Sequence, residues 1–89
     1  MPRVVFTQNL QRHVKCPPME AKGRTVRELL EAACAAYPGL QGYVMDEAGA
    51  LRKHMTVFVD GTQVSDRKNL SDPVKPSSEI NVIQSLSGG

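Results

Sequence analysis

Tryptophan is absent from this 89-residue chain, and phenylalanine and tyrosine supply only two residues each. So few aromatics provide no stacking platform of the kind that single-stranded nucleic acid prefers. Charge of one sign is lacking as well. The formal net charge is +2, and Arg3, Arg24, Arg27, Arg52, Lys53, Arg67 and Lys68 are dispersed along the chain. A nucleic-acid partner is therefore not expected. No apolar run approaches the ~20 residues of a membrane span, and Met1 is not followed by a basic-then-apolar leader. The expectation is a cytoplasmic protein with no membrane partner. Cysteine is limited to Cys16 and Cys34. They form no C-x-x-C pair and have no histidines at ligand spacing, so no metal site is expected. A disulfide is not expected in a cytoplasmic chain either. Cys34 falls on a helical apolar stripe and reads as a small core residue, whereas Cys16 beside Pro17-Pro18 reads as partly exposed.

What is present is enough for one small core, with 40% hydrophobic residues. Val4-Val5-Phe6 is a β-prone run opened by Pro2. Gln8 to Arg12 reads as a turn, and His13 to Ala21 as a second extended segment. Pro17 and Pro18 cannot donate to a ladder, so that segment belongs at a sheet edge or is irregular. Thr25 and Glu28 then make a T-x-x-E capping box. Behind it Val26, Leu29, Leu30, Ala33, Cys34 and Tyr37 recur on one helical face. Arg27, Glu28 and Glu31 lie off that stripe and should be solvated. Pro38-Gly39 ends the helix.

Gln41 to Lys53 reads as a long connection in which Tyr43-Val44-Met45 and Leu51 form an irregular hairpin around Asp46-Glu47-Ala48-Gly49. Met55 to Val59 is a strand, and Asp60-Gly61 is a tight-turn signal returning the chain through Gln63-Val64. Ser65 to Ser78 is a polar loop pinned by Leu70 and Val74. Ile80 to Ile83 is the last strand. One amphipathic helix among these strands implies an α+β domain, with a mixed sheet of about five strands packed on one helix.

The chain closes on Ser87-Gly88-Gly89. Alone, a diglycine reads as a frayed end. Two residues without Cβ can also lie flat in a slot too narrow for any other pair. The domain in front of it changes the weighting. Gly23-Arg24-Thr25-Val26-Arg27-Glu28-Leu29-Leu30, Tyr37-Pro38-Gly39-Leu40, Val57-Phe58-Val59-Asp60-Gly61, Ile80-Asn81-Val82-Ile83 and Gly88-Gly89, in that order, resemble the ubiquitin-like β-grasp sulfur carriers. That family includes the small subunit of molybdopterin synthase and the carriers of thiamine and cysteine biosynthesis. Cys16-Pro17-Pro18 departs from the regular second strand of such carriers. The segment from Gln41 to His54 looks most like the cysteine-biosynthesis type.

The resemblance implies a β-grasp domain over residues 1–84 and a flexible tail over residues 85–89. It implies a carrier, not an enzyme, with no catalytic residues and no bound cofactor, and with ATP consumed by the activating partner. Gly89 would be the residue adenylated and converted to a thiocarboxylate, with Leu86, Ser87 and Gly88 as the inserted tail. Extended, Ser85 to Gly89 reaches at most ~17 Å. The implied partners are a ubiquitin-activating-type adenylyltransferase or sulfurtransferase and a sulfur-accepting enzyme. In the cysteine type these are a pyridoxal-phosphate-dependent, cysteine-synthase-like acceptor and often a trimming metalloprotease. The free carrier is expected to be a monomer. The same adenylate could instead lead to a covalent protein modifier, and a non-covalent ubiquitin-like binding module is a third reading. Strand alternation supplies a docking surface. With Val57, Val59, Ile80 and Val82 inward, Phe58 and Ile83 face outward and form the expected partner-binding patch. No Ser/His/Asp or Cys/His constellation is readable, and His13 and His54 read as surface residues.

Overall fold

Alternation sets the faces of the first strand. In β1 (Arg3–Phe6), Val4 and Phe6 are buried while Arg3 and Val5 point to the other side. The computed structural model describes residues 1–84. Following β1 are α1 (Gln8–Gln11), β2 (Met19–Glu20), α2 (Val26–Ala36), α3 (Leu40–Val44), β3 (Met55–Val59), β4 (Thr62–Gln63) and β5 (Glu79–Gln84). The strands form one five-stranded sheet in the order β2-β1-β5-β3-β4. β5 is central, parallel to β1 and antiparallel to β3.

α2 starts where its capping box requires. Thr25 Oγ1 accepts from the Glu28 amide at 3.3 Å, and Glu28 Oε1 accepts from the Arg24 amide at 3.1 Å. Two further orphan donors of the first turn, the Val26 and Arg27 amides, bond to the Asp72 and Leu70 carbonyls at 3.0 and 2.9 Å. Gly23 lies so close beneath that an added Cβ would sit 3.0 Å from Glu28 Cβ and Leu29 Cδ2. The helix ends at Tyr37, and Gly39 takes a φ of 88° that only glycine adopts without strain. Val26, Leu29, Leu30 and Ala33 bury the stripe against Val4, Ile80, Val82 and Val57.

Several expectations are corrected. Gln8 to Gln11 is a short helix, not a turn, because Leu10 is fully buried beneath it. Tyr43 and Val44 belong to α3, which forms as Leu40 and Val44, one turn apart, both enter the core. Only the Met45–Leu51 bridge remains of the expected hairpin. The second strand shrinks to Met19–Glu20 at the sheet edge, beyond the donor-less prolines. Cys16 is buried, its thiol donating to the Val14 carbonyl at 3.2 Å, while Cys34 is the half-buried one. Burial, then the Glu31 carboxylate, push the Cys34 thiol up to about 11. Arg27 is not simply solvated, since its guanidinium donates to the Asn69, Gly49 and Lys68 carbonyls. Among the described residues no helix is long and apolar enough to cross a membrane.

Candidate functional site

The outer face of the sheet follows from register. β3 is laid out opposite β5 with Val57 against Val82 and Phe58 against Asn81, while Ile83 stands opposite Thr56. Val57 and Val82 are fully buried, so their neighbours Phe58 and Ile83 project to the other side, each half-buried. The two are diagonal neighbours on that face rather than direct cross-strand partners. On the far side of β5, Val5 stands opposite Asn81 and is also half-buried. Val5 was missed in the sequence, although the alternation of Val4-Val5-Phe6 signals it. The three apolar side chains surround Asn81, with Thr56 and Gln63 as a polar border joined by a 3.2 Å hydrogen bond.

At one end of this face lies the point where the chain leaves the sheet. Gln84, the last residue of β5, is opposite Met55, and its amide donates to Thr7 Oγ1 at 3.4 Å. Its Oε1 is buried with no donor among the described residues. Gly89, Gly88, Ser87 and Leu86, the residues expected to carry the chemistry, lie outside the described residues.

At the other end, the β3–β4 turn is tied to the start of β5. Asp60 and Gly61 take φ of 50° and 86°, the double left-handed conformation of the tightest hairpins. The Asp60 carboxylate accepts from the Glu79 amide at 2.9 Å and the Ser78 hydroxyl at 2.8 Å. The Glu79 bond first, then the Ser78 bond, hold its carboxyl below the usual aspartate range.

No group of three or more His, Cys, Asp or Glu side chains arranged to hold a metal occurs among the described residues. His13 and His54 are both exposed, and His13 stacks on Tyr43 with ring centroids 5.4 Å apart. Asp46 and Asp72 spend their carboxylates on backbone amides, Asp46 on Ala48 and Ala50, Asp72 on Ser65 and Asp66.

A family model described as the ThiS family matches residues 10–89. The chain belongs to the ThiS family. Its five-stranded mixed sheet and capped helix are those of the ubiquitin-like β-grasp sulfur carriers, as the resemblance implied. Among solved structures, this ThiS-family chain is similar to a chain of the BexX/CysO complex from Amycolatopsis orientalis. That match has 23% identity and a TM-score of 0.83, and covers 100% of both chains. Mycobacterium tuberculosis CysO matches at 18% identity and TM-score 0.80, over 97% of this chain and 100% of its own. SAMP1 from Haloferax volcanii matches at 22% identity and TM-score 0.79, over 99% and 98%. A comparison with curated protein sequences gives no match.

Proposed function

We propose that this ThiS-family protein is a sulfur carrier whose cargo site is the Gly89 carboxylate. In the active site of a ubiquitin-activating-type adenylyltransferase, a carboxylate oxygen attacks the α-phosphorus of ATP. An acyl adenylate forms and pyrophosphate leaves. A hydrosulfide equivalent supplied by that enzyme or a sulfurtransferase then attacks the acyl carbon. AMP departs, a proton is released, and the thiocarboxylate is left to donate sulfide to a biosynthetic acceptor. The domain itself supplies no acid or base. It supplies a docking face at Phe58, Ile83 and Val5, and a tail, residues 85–89, that carries Leu86, Ser87 and Gly88 into the partner. A pyridoxal-phosphate-dependent, cysteine-synthase-like acceptor is the preferred recipient, with a metalloprotease trimming its product.

The observation that supports this reading best is the position of Gln84. The chain leaves the central strand beside an outward face bearing half-buried apolar residues, with the diglycine just beyond. Mass spectrometry of the protein isolated from its host tests it. A gain of ~16 Da on the C-terminal peptide, oxygen replaced by sulfur, is expected for the thiocarboxylated carrier. Only unmodified protein under sulfur-demanding growth would count against it.

The likeness to SAMP1, a small archaeal modifier protein, favours a second reading in which Gly89 becomes joined to lysines of other proteins. Ladders of conjugates that vanish with a shortened tail would identify that use.

A further inference from the structure

The fold segregates charge that the sequence disperses. Three stretches are linked to Gln84, two directly and one through them. Residues 7–18 reach it through the Thr7 hydroxyl, and residues 52–55 through the Met55–Gln84 pairing. Residues 40–45 join through Tyr43, stacked on His13, and through the Gly42 carbonyl, which accepts from Arg52 Nε at 2.7 Å. These stretches carry Arg12, His13, Lys15, Arg52, Lys53 and His54 and none of the nine acidic residues of the chain. Arg67 adds its charge from below. Its guanidinium donates to the Arg52 and Met55 carbonyls at 2.7 and 2.6 Å, clamping the turn that presents Lys53 and His54.

The acids lie elsewhere. Glu20 and Glu79 flank Arg3 at the opposite end of the sheet, and Asp60 caps the start of β5. Asp66, Asp72 and Glu28 gather at the start of α2. Glu31 pairs with Arg27 at 3.8 Å, the one ion pair among the described residues. Asp46 and Glu47 sit on the turn whose Gly49 carbonyl rests on Arg27.

We infer that the basic collar around Gln84 is a docking surface for an acidic protein rim, the mouth of the partner active site that receives the tail. This rests on the sulfur-carrier reading for the partner's identity. The collar adjoins Ile83 and borders Gln84, where the chain leaves β5, so whatever admits the tail meets it. Exposed charges of one sign at such an entrance raise the rate of encounter and set orientation, and salt screens them. The weak stacking inventory, with His13 on Tyr43 its only pair here, favours an acidic protein over nucleic acid.

Two measurements on the full chain test this. In the first, isotope-labelled protein is titrated with poly-L-glutamate and separately with polyuridylate at matched charge, in low and high salt. Glutamate polymer should shift the amides of Arg12, His13, Arg52, Lys53 and His54, but not those around Lys22 and Lys75. Binding should weaken about tenfold in an Arg12→Glu/Lys53→Glu double variant. Shifts spread over both ends overturn the inference, and so does tighter binding of polyuridylate at the collar. In the second, ATP–pyrophosphate exchange is followed with the host's adenylating enzyme. The collar double variant should lose about tenfold in kcat/KM at low salt with kcat kept, while Lys22→Glu/Lys75→Glu behaves as wild type. Equal losses in both variants overturn the inference. Absence of exchange with the wild-type chain defeats the sulfur-carrier reading instead, and the polymer titration then decides the collar alone.

Discussion

The Arg27 guanidinium donates to the Gly49 carbonyl at 2.9 Å, joining the first turn of α2 to a turn far along the chain. The same group reaches the Asn69 carbonyl at 2.7 Å and the Lys68 carbonyl at 3.2 Å. A planar fork can serve several acceptors at once, and an ammonium on a flexible stem cannot. Arg27→Ala is expected to cost about 1–3 kcal/mol, discounted from the full charged-bond value because the group is partly exposed. Arg27→Lys should recover less than half of that in urea unfolding. A lysine variant as stable as wild type would show that the apolar stem, not the fork, is what matters.

Phe58 and Ile83 are expected to separate affinity from stability. Each changed to Ala should weaken association with the activating enzyme by about 1–3 kcal/mol. Half-buried as they are, they should destabilise the isolated domain less than Val57→Ala, which opens a cavity in the core. Unfolding midpoints and binding isotherms on the same three variants provide the check. Stability losses equal to that of Val57→Ala, with affinity unchanged, would remove this face from the docking site.

Removal of Gly88 and Gly89 should abolish adenylation and leave the melting temperature nearly unchanged. The five strands and the core among the described residues contain neither glycine, so the deletion belongs with changes of small energetic effect. Calorimetry and pyrophosphate exchange on one sample decide it. Activity in the shortened chain would end the carrier reading.

Acid should destabilise the domain through two loop aspartates. Asp66 is held low by the Ser71 hydroxyl first and the Asn69 amide second, as Asp60 is by the Glu79 amide and Ser78. A carboxyl lowered in the folded state contributes stability above its unfolded value near ~3.9. That contribution is lost as pH falls through the folded-state value. Asp60→Asn keeps an acceptor and tolerates the left-handed backbone while removing the titration. Its unfolding midpoint should therefore vary less between neutral pH and pH 3 than that of wild type, and Asp66→Asn should behave likewise. Parallel pH profiles for variant and parent would show that neither group is linked to folding.

Much of the fold was legible because local signals agreed with tertiary ones. Thr25 and Glu28 announced α2, Asp60-Gly61 announced the hairpin, and the alternation in β3 and β5 assigned their faces. The misreadings share one cause. Helices of four and five residues, as in α1 and α3, are too short to form on their own propensity. They exist because Leu10, Leu40 and Val44 find the core, and a β-prone run such as Tyr43-Val44-Met45 conceals that. Arg27 sits off the apolar stripe, and no local pattern shows that a loop from residues 68–69 will arrive over it. Cys16 looked exposed beside its prolines, yet the chain there folds inward. The basic collar was invisible for the same reason, since its members come from three separate stretches.

β5 is flanked by β1 and β3, yet it is the last of the five strands in chain order. During synthesis, β1 with β2 and β3 with β4 emerge as two short pairs, neither able to stand alone. The sheet closes only when β5 leaves the ribosome and pairs in parallel with a strand made near the start. A chain that lacks β5 therefore has two separate edges in place of one continuous outward face. The outward face at Phe58, Ile83 and Val5 is thus assembled in one step, by the arrival of a single strand, and not built up pair by pair.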